Sequence, residues 1–203
     1  HSQTNDSLHL NDVVMDSNSY YGLWVGSSSN DQIKVSINNS VFKNNSTQSQ
    51  GAAIWSKKNT LKVTDTQFTN NDSYEKGSIY IDEDGADVSF IGCLFKDNYT
   101  TGGNYVSVFS TGSDVEIIDC VFLNNEENLF GGSQYNSTSA DISILNSIVW
   151  GNTLISTGTW PNMNVTATYS CIEGGYAGTG KTSADPDFCN PFDIDLTLPQ
   201  SSP

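Results

Sequence analysis

VEIIDCVFLNN (115–125) alternates apolar and polar residues, passes through a second apolar pair, and ends on a phenylalanine followed three positions later by an asparagine. Five other stretches line up on it: LHLNDVVMDSN (8–18), VSINNSVFKNN (35–45), LKVTDTQFTNN (61–71), VSFIGCLFKDN (88–98) and ISILNSIVWGN (142–152). Their closing asparagines, Asn18, Asn45, Asn71, Asn98, Asn125 and Asn152, are separated by 27, 26, 27, 27 and 27 residues. Self-similarity at a fixed period is the mark of a chain built from stacked units. Within each unit the alternation is two-fold, which is strand spacing: Val35 and Ile37 face one way and Ser36 the other.

The pattern predicts three short strands per unit. The first covers the alternating segment and the second the next apolar pair, as at Ser40 and Phe42. The third begins about six residues past the asparagine, at GAAIW (51–55), GSIYI (77–81) and NYVSVF (104–109). With no helical segment between strands, such units wind into coils that pair in parallel at a rise of about 4.8 Å. Parallel crossovers are right-handed in about 98% of cases. The expected fold is therefore all-β, a right-handed parallel β-helix of about 27 residues per coil and seven to eight coils. One domain spans 1–203, with regular coils over 8–152 and irregular closing coils over 153–203, and reads as a segment of a larger protein.

Stacking converts the repeat into columns. Met15, Phe42, Phe68, Phe95, Phe122 and Val149 form an apolar spine, each side chain contributing roughly 1.5–3 kcal/mol on burial. The six closing asparagines are expected to form an inward ladder, each amide bonding to the coils on either side. A third column, Val13, Ser40, Thr66, Cys93, Cys120 and Ser147, prefers small residues.

The charge balance narrows the partners. Twenty-three acidic residues face eight basic ones, all lysines, for a net charge of −15. Such a chain repels phosphate backbones and anionic membranes, so no nucleic-acid partner is expected. No apolar run reaches the ~20 residues that cross a bilayer, so no membrane insertion is expected either.

The pairing of FKNN (42–45) with GAAIW (51–55) resembles the repeats of polymorphic outer-membrane proteins and related surface β-helices. The tail, NSIVWGN (146–152), YSCIEGGYAGTGKTSADPDF (169–188) and DIDLTLPQSSP (193–203), is similar to the closing coils of secreted right-handed parallel β-helix repeat proteins. The resemblance covers nearly the whole chain. It implies this fold, shared with pectate lyases, and an extracellular or cell-surface location; it implies no single activity.

Several residues bear on chemistry. Cys93 and Cys120 occupy one position of adjacent coils, close enough for a disulfide, or else two buried thiols. Cys171 and Cys189 pair with each other, or Cys189 pairs beyond Pro203. Of eight Asn-x-Ser/Thr acceptor sites, those at ladder positions should face inward; Asn38, Asn136 and Asn164 are the better glycosylation candidates. Asp82 and Asp84, in an acidic turn, offer oxygens to a calcium ion or form only a solvated loop; no other cofactor is expected. With Ala53, Ile79 and Val106 facing inward, an outward column of Trp24, Ile54 and Tyr80, continued by Ser107 and Gln134, would offer aromatic rings to sugars or to a protein partner, whereas the opposite phase would send Trp24 and Tyr80 into the core. An enzyme of the lyase or hydrolase type needs an arginine or lysine base, or two carboxylates across a scissile bond. The chain has no arginine, its histidines are His1 and His9, and the repeats' outward positions are mostly Ser, Asn, Thr and Lys. The expected function is structural: a non-catalytic segment of a stalk, fibre or adhesin that contacts copies of itself or neighbouring domains, with glycan binding as the alternative and polysaccharide cleavage as the second.

Overall fold

The computed structural model describes residues 6–26, 33–57, 59–82, 87–102, 106–111, 113–126, 128–132, 140–155 and 163–186. Every strand pairs in parallel with its counterpart one coil away, and no helix occurs among the described residues. The first face holds seven strands: Ser7–Asn11, Lys34–Asn38, Thr60–Thr64, Val88–Ile91, Val115–Ile118, Ala140–Leu145 and Met163–Thr168. The second holds seven shorter ones: Val14–Asp16, Val41–Lys43, Gln67–Thr69, Leu94–Lys96, Val121–Leu123, Ile148–Trp150 and Cys171–Ile172. The third holds six: Leu23–Gly26, Ile54–Lys57, Ile79–Asp82, Val106–Thr111, Asn128–Gly132 and Thr153–Ile155. The last coil thus lacks a third-face strand among the described residues, and complete turns are fewer than the seven to eight expected. A small extra sheet of two-residue strands, Ser46–Thr47, Asp72–Ser73 and Tyr99–Thr100, lines one corner and departs from the three-strand expectation.

Two sharp corners in each coil explain the sequence grammar. Between the first and second faces, Asp12, Asn39, Asp65, Gly92, Asp119 and Asn146 all have positive φ. Just before each ladder asparagine, Ser17, Asn44, Asn70, Asp97, Asn124 and Gly151 do the same. The left-handed region is open to glycine and to short polar side chains that bond locally, so these columns favour such residues, with Tyr169 (φ 49°) of the last coil the exception. The recurring Asn-Asn doublets are therefore two different residues, one turning the chain and one facing inward.

The core follows from that alternation. Phe42, Phe68, Phe95 and Phe122 are fully buried and stacked, with ring centroids 5.3, 5.0 and 4.6 Å apart and planes within 17°. Phe90, Phe109 and Phe130 from the other faces meet this stack at steep angles, the edge-to-face geometry that suits aromatic quadrupoles.

Candidate functional site

The asparagine ladder is continuous. Each side-chain amide donates to the Oδ1 of the next asparagine: Asn18 to Asn45 (2.8 Å), Asn45 to Asn71 (2.9 Å), Asn71 to Asn98 (3.0 Å), Asn98 to Asn125 (2.9 Å) and Asn125 to Asn152 (2.9 Å). The same amide reaches back to a carbonyl of the preceding coil, as from Asn98 to Phe68 O at 2.9 Å. Backbone N–H groups add to it, Asn71 N donating to Asn98 Oδ1 at 3.1 Å. Asn45, Asn71 and Asn98 are wholly buried, so the acceptor sequences they head are not accessible.

A second ladder runs one corner away, in the column read from sequence only as small. Ser40, Thr66, Ser147 and Ser170 each donate a hydroxyl to the carbonyl two residues earlier, at 2.7–2.8 Å. Cys93 and Cys120 do the same with their thiols, to Ile91 O at 3.4 Å and Ile118 O at 3.2 Å. The same atoms accept backbone N–H groups from the coil before: Ser40 N to Thr66 Oγ1 (3.3 Å), Cys93 N to Cys120 Sγ (3.4 Å) and Cys120 N to Ser147 Oγ (3.0 Å). The polarity that joins these residues is what a reading by size alone misses.

The cysteines are placed accordingly. Cys93 and Cys120 are buried free thiols in contact across adjacent coils. The hydrogen bond with Cys120, together with burial, pushes the Cys93 thiol up, so it stays protonated. Cys171 is a half-exposed free thiol that donates to Ala184 O at 3.1 Å, and burial and Asp185 raise its pKa. Cys189 lies outside the described residues.

The third face keeps its expected phase at Trp24 and at Ile79, and departs from it in the second and fourth coils. Register aligns Leu23, Ile54, Ile79, Phe109 and Phe130 in one inward column. Ile54 is fully buried, so it does not belong to the outward set; Trp55 takes its place between Trp24 and Tyr80. The cause is an extra residue in the second coil. Ala53 N and Ile54 N both donate to Ser78 O, at 2.8 and 3.2 Å, so GAAI spans the distance that GSI spans one coil later.

Trp24 is 55% exposed and stacks on Trp55 with centroids 5.2 Å apart and planes 10° apart. Gly26 makes room for the pair, because a Cβ there would lie 2.6 Å from a Trp24 ring carbon. Tyr80 continues the column but is buried, its centroid 6.3 Å from Trp55. Its hydroxyl donates to Asp82 Oδ1 at 3.2 Å, and Lys76 Nζ lies 5.3 Å from its ring. Burial holds the Lys76 ammonium below the usual lysine range, against the pull of Glu75 and Asp82. Past Tyr80 the register continues the column with Ser110 and Gly131 in place of the expected Ser107 and Gln134, because coil four carries extra residues before Phe109, so among the described residues the accessible rings of the platform are the two indoles; Gln134 lies outside the described residues.

The Asp82 carboxylate, proposed as a calcium ligand, also pairs with Lys57 Nζ at 3.5 Å. Asp84 lies outside the described residues, and among the described ones no three His, Cys, Asp or Glu side chains converge as metal ligands. Of the glycosylation candidates, Asn38 is tied into an outer ladder, donating to Asn11 Oδ1 at 2.7 Å and accepting from the Thr64 hydroxyl. Asn136 lies outside the described residues. Asn164 is exposed on a strand with Thr166 exposed two residues on.

Burial raises the pKa of Asp72 and of Asp97. The two belong to different columns, Asp72 in the small corner sheet and Asp97 at a positive-φ corner.

A family model described as right handed beta helix region matches residues 1–175. No curated protein and no solved structure matches the chain.

Proposed function

The chain belongs to the family of right-handed β-helix proteins, and from that premise we propose that it is a non-catalytic extracellular structural protein, a segment of a stalk, fibre or adhesin that assembles through its ends or lateral faces. What supports this reading is where the sequence places its order. Three internal columns (the phenylalanine stack, the asparagine ladder and the hydroxyl–thiol ladder) run from coil to coil without a break among the described residues. Each joins neighbours along the axis, which is the cohesion a load-bearing rod requires. Sedimentation and electron microscopy of the full chain test the assembly; a strictly monomeric, capped particle at high concentration counts against it. Release of unsaturated or reducing ends from polyuronides would restore the enzyme reading.

The Trp24–Trp55 stack favours a second reading, glycan binding. An exposed indole face packs on the C–H face of a sugar ring, and Trp24 is the most exposed ring of this column. A glycan array compared between wild type and Trp24→Ala decides the matter: uniform silence from both removes the reading.

A further inference from the structure

The outer surface of the first face carries a charge pattern that the inward columns do not require. Register places Lys34, Thr60, Asp87, Asp114, Asp141 and Asn164 in one outward column. The next outward column contains Ser36, Lys62, Ser89, Glu116 and Ser143. The lysines thus occupy the second and third coils, and Glu116 and Asp141 the fifth and sixth. All four side chains are exposed, and among the described residues none of them has an ion pair within the chain.

This order is self-complementary. A two-fold axis along the strand direction, set over the fourth coil, sends each column onto itself and exchanges coil two with coil six and coil three with coil five. Lys34 then meets Asp141 of a second copy, and Lys62 meets Glu116. Each contact occurs twice, giving four ion pairs. The same operation sets Ser36 over Ser143, Ser89 over its own copy, and Ile91 over its own copy beside Ile118 and Leu145 of the third outward column. Like charges oppose it near the axis: exposed Asp87 meets its own copy, and exposed Asp114, one coil away in the same column, flanks that meeting on both sides while facing Thr60 of the second copy. We propose that this face forms an antiparallel, isologous dimer of the chain, a proposal that rests on the assembly reading above and names its lateral surface.

Size and charge set the strength. Seven strands at ~4.8 Å and five residues at ~3.3 Å give a face of about 550 Å² per copy. The total of about 1,100 Å² falls just below the roughly 1,200 Å² of stable complexes, so the dimer is a weak one. The net charge of −15 on each copy opposes approach at very low salt, while the ion pairs are themselves weakened at ~1 M, where the screening length is about 3 Å. Dimer formation therefore peaks at intermediate ionic strength, near ~0.1 M.

Sedimentation velocity on the full chain at about 0.1 M and about 1 M salt reads this directly, with circular dichroism verifying that each variant is folded. Lys62→Glu and Glu116→Lys alone each weaken dimerisation about tenfold or more, since each turns two attractive contacts repulsive. The double variant Lys62→Glu/Glu116→Lys swaps the partners and returns to within about threefold of wild type. Self-association that persists unchanged in the single variants, or a double variant no better than either single, overturns this interface while leaving assembly by another surface standing. A wild-type chain that stays monomeric at about 1 mM across the salt range overturns the interface and the assembly reading together.

Discussion

At the residue scale, the two ladders make the sharpest demands on side-chain chemistry. Asn98 accepts from Asn71 and donates to Asn125 and to Phe68 O, all within a buried environment. Asn98→Ala leaves several of these partners without water or protein, and should cost about 3–5 kcal/mol by denaturant unfolding. The thiol positions discriminate differently. Cys120→Ser keeps a donor to Ile118 O and an acceptor for Cys93 N, so stability should stay within about 1 kcal/mol of wild type, whereas Cys120→Ala should lose about 1–3 kcal/mol. Equal losses for the two variants would show that the column is governed by volume alone. Asp97 supplies a pH test, because burial raises its folded pKa above the ordinary 3.8. A raised carboxylate pKa costs stability above the folded value, and the cost vanishes once pH falls below 3.8. Asp97→Asn, the residue type already present at Asn44, Asn70 and Asn124 of the same column, should therefore stabilise at pH 7 by less than about 0.5 kcal/mol after allowance for solvent screening, and not at pH 3. Thermal melts at the two pH values measure the difference. The asparagine ladder was legible in the sequence because a parallel stack puts identical residues over one another. The hydroxyl–thiol ladder was not, because Ser, Thr and Cys share a hydrogen-bonding role that identity matching does not group.

At the scale of the strand, the first two faces were readable and the third was misphased in the second and fourth coils. From the first strand to the ladder asparagine the chain length is nearly constant, so one alignment fixes both faces. Past the asparagine it varies: Ile54 lies nine residues after Asn45, Ile79 eight after Asn71, Phe109 eleven after Asn98 and Phe130 five after Asn125. A fixed offset therefore lands one residue out of phase at Ile54, and with period two that reverses which side chains face water. The slip at Ala53 also gives a prediction. Deleting Ala53 makes the second coil match the third and should cost less than about 2 kcal/mol, while deleting Lys62 turns Leu61 and Val63 against their columns and should prevent folding. Expression yield and far-ultraviolet circular dichroism separate the two outcomes.

For the whole molecule, stability is a sum over contacts between neighbouring coils, with no element that must meet a distant one. Removing residues 99–125, one complete 27-residue period between ladder asparagines, should leave a shorter solenoid with its columns still in register. The protein should fold with a lower denaturation midpoint and still melt cooperatively; an unfolded product would mean that the coils are not interchangeable. The small corner sheet, found in three coils among the described residues, is the part of the architecture that this symmetry does not dictate. The constant register of the first face has one more consequence. Its outward positions form a grid with spacings of about 4.8 Å in one direction and about 6.6 Å in the other, so the protein is a molecular yardstick: a chromophore, metal chelator or peptide attached at chosen positions would be held at distances fixed by counting coils, before any measurement is made.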